Sequence, residues 1–117
     1  MLIATLEAVR ALYHEQKYDE AIILIDRYSE KCELTVELFV LKGRLIQLSS
    51  NGLYDLSEAR ECFINALKQN KDSVDALIEL GWFYKNVLDD SESGYQYFNR
   101  ALEKCVDCSN EVVKGLG

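Results

Sequence analysis

Apolar residues recur along this chain at intervals of three and four, in stretches of about fourteen residues separated by short polar breaks. That spacing places one apolar stripe along a helix, because residues three and four apart share a face. The first stretch, Leu2 to about Glu15, carries Leu2, Leu6, Val9, Leu12 and Tyr13. The second, about Tyr18 to Lys31, carries Ala21, Ile22, Leu24, Ile25 and Tyr28, and the third, about Thr35 to Ser49, carries Leu38, Phe39, Leu41, Leu45, Ile46 and Leu48. Asn51-Gly52 is a strong break. Asp55, three residues ahead of Glu58, reads as the cap of a fourth helix through Ala59, Phe63, Ala66 and Leu67. After Asn70-Lys71-Asp72, with Asp72 as N-cap, a fifth helix runs from about Ser73 to Leu88. Asp89-Asp90-Ser91 ends it and caps a sixth, with Tyr95, Phe98, Ala101 and Leu102. Ser109 to Leu116 adds a short helical remnant.

Short connections fold each helix back on its predecessor, and the pattern then repeats. Val9 and Gly43 stand 34 residues apart. In the helices that follow, Ala59 leads to Phe63, Ala66 and Leu67, and Gly94 leads to Phe98, Ala101 and Leu102 at the same offsets. In the first hairpin Ala21 leads to Ile25 and Tyr28. Small residues at matching places let two helix backbones approach, and large ones a turn away fill the groove between them.

These residues give the chain its resemblance to the tetratricopeptide-repeat family, over about Leu2 to Cys105. The third copy is clearest, with Leu77, Leu80-Gly81 and Tyr84, then Gly94, Phe98 and Ala101. The second has Phe39, Gly43 and Ile46, then Ala59, Phe63 and Ala66. The first is degenerate, with Thr5, Ala8 and Val9 where the family prefers a large residue, Leu and Gly. Ala21 to Ala59 spans 38 residues, which places a four-residue insertion near Ser49 to Tyr54, and no repeat closes on the family's usual proline.

The resemblance implies an all-α fold of three stacked antiparallel helical hairpins, a TPR-like α-solenoid, in one domain over residues 1–117. The hairpins fall at about 2–33, 35–71 and 73–106, with a C-terminal cap at about 109–116. It also implies a concave groove lined by the first helix of each hairpin. At equivalent positions along that groove stand Arg10, Arg44 and Trp82; then Tyr13, Gln47 and Lys85; then His14, Leu48 and Asn86. Basic and aromatic groups on one wall suit an acidic or aromatic-bearing peptide. The competing reading pairs these cations with nearby acids such as Glu7 and Glu79. The lysine and asparagine set with which some co-chaperones of the family clamp a carboxylate is not reproduced.

Composition agrees with helix. Proline is absent, glycine is sparse at 6, and hydrophobic residues make up 49%. Charge narrows the partners: 13 Lys plus Arg stand against 20 Asp plus Glu, a net of −7. That balance argues against nucleic acid and against anionic membranes, and it can steer the chain toward a basic protein. No apolar run reaches a membrane span, and the start at Met1 does not read as a secretory signal, so the expected location is cytoplasmic.

Four cysteines, at 32, 62, 105 and 108, form no regular framework and read as reduced thiols packing like small hydrophobes. Cys105 and Cys108 have half-site spacing, but zinc takes four ligands, and the other candidates, Cys32, Cys62 and His14, lie in other hairpins. His14 ends the first helix, where a cation complements the dipole. With no phosphate loop and no acid–base–nucleophile set, no enzyme and no cofactor are expected.

The expected function is therefore that of a protein-protein interaction module: an adaptor, scaffold or chaperone-like chain binding a partner protein or peptide in the groove. An acidic, immunity-type inhibitor of a basic toxin or nuclease is the alternative, and a metal or redox role at Cys105 and Cys108 a minor one. Exposed end repeats also offer a homodimer contact.

Overall fold

The computed structural model describes residues 2–49 and 54–104, and among these the regular structure is entirely helical. The helices are α1 (Leu2–His14), α2 (Tyr18–Ser29), α3 (Val36–Leu48), α4 (Leu56–Gln69), α5 (Val74–Trp82) and α6 (Ser91–Lys104). None is long and apolar enough to cross a membrane. The predicted insertion is described only at its edges, Ser49 and Tyr54. The C-terminal remnant, with Cys105 and Cys108, lies outside the described residues.

One of the predicted caps moves, and another makes no side-chain bond. The fifth helix is capped by Ser73 rather than Asp72: the Ser73 hydroxyl accepts from the Ala76 amide at 3.4 Å. Asp72 instead forms an ion pair with Lys104 at 3.6 Å. Asp55 holds the N-cap position of α4, but its side chain makes no capping bond. Thr35 caps α3 through the Leu38 amide, and Asp90 accepts from the Ser93 amide at the head of α6. The helix predicted to run on to Leu88 changes form at Trp82. Phe83–Val87 is a π-helical turn, with the Leu88 amide donating to the Phe83 carbonyl at 3.2 Å. The wider turn puts Phe83 in the core and leaves Tyr84 stacked on Tyr97.

Each helix packs on its neighbours in sequence. The Gln69 side chain, last in α4, donates to the carbonyl of Leu34 just ahead of α3, at 2.6 Å. At Gly43 and Gly81 the close approach is steric. A Cβ on Gly43 would lie 2.6 Å from Phe63 Cζ, and one on Gly81 would lie 2.7 Å from Phe98 Cδ1. Both rings are fully buried. The corresponding positions of α1 and α2 hold Val9 and Ile25, a larger residue answered by a smaller partner, and both are fully buried. Polar bonds secure the α3–α4 connection. The Ser49 hydroxyl donates to Asp19, and the Tyr54 hydroxyl donates to Asp26. Lys42 pairs with the same Asp26 at 2.8 Å and lies over the Tyr54 ring at 4.7 Å.

The α1–α2 turn closes on a residue with left-handed backbone, Gln16 at φ 63°. Lys17 N–H reaches the Leu12 carbonyl and Gln16 N–H the Tyr13 carbonyl, the bond pair that usually ends on glycine. Gln16 is exposed, so Gln16→Gly relieves backbone strain without removing a packed side chain. It is expected to raise stability by about 1 kcal/mol, read as a higher Tm in thermal unfolding.

Candidate functional site

Alternating helices bring the expected groove residues together in part. Tyr13 from α1, Arg44, Gln47 and Leu48 from α3, and Glu79 from α5 line a cleft of about 330 Å³. Gln47 stands one helical turn beyond Arg44, so both point to the same side of α3. Leu48, at the end of that helix, is 44% exposed. The amide nitrogen of Gln47 is buried and meets no acceptor. A buried donor without a partner carries a desolvation penalty that a bound carbonyl or carboxylate would remove once the side chain turned toward it.

Charge on this wall is balanced rather than concentrated. Arg44 Nε donates to Glu79 Oε1 at 2.9 Å. Burial works against the Arg44 cation, but Glu79, with Asp75 and Tyr13, outweighs it and raises the guanidinium pKa. Arg10 pairs with Glu37 at the head of α3, both about half exposed, so this pair adds little stability. The arginines thus link α1 to α3 and α3 to α5. Sequence named Glu79 as an acid within reach; Glu37 carried no local signal, because the pairing spans two helices.

The residues expected on the wall from α5 and the turn after it lie elsewhere. Trp82 packs edge-on against Phe98 of α6, with ring centroids 5.3 Å apart, among the buried Leu77, Ile78 and Ala101. The Lys85 ammonium lies over the Trp82 and Tyr95 rings, at 5.5 and 5.8 Å. Trp82 and Lys85 therefore face the α5–α6 packing rather than the cleft, and Asn86 is exposed in the π-helical turn. His14 is exposed at the end of α1 and meets the Tyr13 ring edge-on, with centroids 5.9 Å apart.

Cys62 is buried, as expected, and burial pushes its thiol up to about 11, so at neutral pH it is no nucleophile. Cys32 is exposed in the α2–α3 turn, where it was expected to pack. Among the described residues no three His, Cys, Asp or Glu side chains gather as a metal site. Two larger hollows, of about 400 and 510 Å³, both reach Cys32 and draw on the α2–α3 turn rather than on repeat-equivalent positions. No family model matches the chain, and no curated protein matches it.

Proposed function

We propose that the chain is a TPR-like stack of three antiparallel helical hairpins that binds a segment of a partner protein along the wall formed by α1, α3 and α5. The cleft of Tyr13, Arg44, Gln47 and Leu48 carries this reading, because positions equivalent in the repeat converge there around an amide that lacks an acceptor. The sequential packing of the helices and the glycine–phenylalanine contacts support the stack. The bond from Gln69 to Leu34 and the pair of Lys104 with Asp72 join the end of one helix to the start of its partner, as hairpins require.

A neutral ion pair, an amide, a phenol and an exposed leucine suit a polypeptide of mixed character, held by main-chain hydrogen bonds and one apolar contact. Such a module acts as an adaptor, scaffold or chaperone-like chain. Affinity capture from native lysate identifies the partner, and calorimetry with Leu48→Glu tests the site. At least a tenfold loss of affinity is expected, whereas Ile23→Glu, at another exposed apolar position, leaves affinity unchanged. Equal affinities for both variants would remove the cleft from the interface. The net charge of −7 adds a second readout: a basic partner whose association slows steeply with salt would favour an inhibitor over an adaptor.

A further inference from the structure

Two arginines and two tyrosines, none of them lining the cleft, gather at the ring of Tyr97. The Tyr84 and Tyr97 rings stack 5.3 Å apart at an interplanar angle of 24°. The Arg100 guanidinium lies over the Tyr97 ring, with Cζ 5.6 Å from its centre. A guanidinium stacked on a ring keeps its N–H edges free for a planar acid. Arg60, from α4, comes close enough to Tyr97 for its charge to act on the phenol. Its Nε is buried and meets no acceptor, and its ion pair, Nη2 to Glu61 at 3.6 Å, is with its own sequence neighbour. Arg10, Arg44 and Lys42 are answered by carboxylates of other helices.

We propose that Arg60, Tyr84, Tyr97 and Arg100 form a second contact surface, one that takes a carboxylate-rich segment of a partner protein. Two guanidinia offer forked donors to carboxylates, and the hydrogen-bonded pair of phenols adds one hydroxyl donor beside them. Burial, the neighbouring Tyr84 and a hydrogen bond to its hydroxyl push the Tyr97 phenol up, against the pull of Arg100 and Arg60, so it stays protonated at neutral pH and adds no negative charge to the surface. On a chain of net charge −7 an acidic segment is repelled over much of the surface, which favours a place where two guanidinia gather around one ring. This surface shares no residue with the cleft of α1, α3 and α5 and stands or falls independently of it.

The test is an aromatic NMR titration of the intact chain with acetylated hexaglutamate, run beside sodium phosphate at matched ionic strength. Saturable shifts of the Tyr84 and Tyr97 ring signals are expected with the peptide, and Arg100→Glu is expected to weaken binding at least tenfold. Arg100 is exposed, so circular dichroism and Tm should stay unchanged in that variant, and Arg100→Lys should recover part of the affinity. Ring signals that do not move, or that move equally in Arg100→Glu, overturn the proposal. So does phosphate that saturates the same shifts as tightly as the peptide, since the surface would then hold a free anion.

Discussion

Truncating Phe63 to alanine is expected to cost about 3–5 kcal/mol, enough to leave little of the folded state at 37 °C. The ring is fully buried and fills the space above Gly43, where α3 has no side chain to collapse into the void. Gly43→Ala attacks the same contact from the other side. A Cβ there would lie 2.6 Å from Phe63 Cζ, and a buried ring has no room to retreat. Overpacking of this kind costs about 1–3 kcal/mol, offset by about 1 kcal/mol of helix propensity gained over glycine. The decisive measurement is a double-mutant cycle. With Phe63→Leu in place, Gly43→Ala is expected to become neutral or stabilising in urea unfolding, a coupling above about 1 kcal/mol. Additive effects would mean that the two residues do not share one packing constraint.

Removing Asp26 has the second largest expected effect. Its carboxylate answers the Lys42 ammonium and accepts the Tyr54 hydroxyl, so one side chain of α2 holds α3 and the start of the α4 segment. The Lys42 side chain is only 16% exposed, and burial works against its charge, but Asp26 outweighs burial and raises its pKa. Asp26→Ala leaves that cation poorly hydrated and unanswered, a loss of about 2–3 kcal/mol. Lys42→Met is expected to cost less than half as much, because Asp26 is 34% exposed and water can replace the lysine. Urea unfolding followed by circular dichroism compares the two, and equal losses would show that the pair, rather than the stranded lysine, sets the energy.

Much of this was legible from spacing alone. The six helices follow from apolar residues three and four apart, and the Gly43–Phe63 and Gly81–Phe98 contacts follow from small and large residues at repeated offsets. What escaped depends on distance or on fine geometry. Ser73 and Asp72 are both good caps in adjacent positions, and only the backbone decides between them. The π-helical turn at Phe83–Val87 arises from one shifted hydrogen bond, which no residue type announces. The bonds from Asp26 to Lys42 and Tyr54 join residues far apart in sequence. Trp82 had two fair destinations, groove or core, and spacing alone does not choose between them; the contact with Phe98 of α6 does.

The trade of bulk between Val9 with Ile25 and glycine with phenylalanine also bears on which helices pair as the chain folds. Helices of similar length and pattern can settle against the wrong neighbour. Here the α1–α2 contact carries a different lock from α3–α4 and α5–α6. An α1 seated where α3 belongs would drive Val9 into the Phe63 ring, while α3 seated in place of α1 would leave a void between Gly43 and Ile25. Mispairing thus meets a clash at one junction and a hole at the other, and the shapes at these contacts match each helix to its own partner.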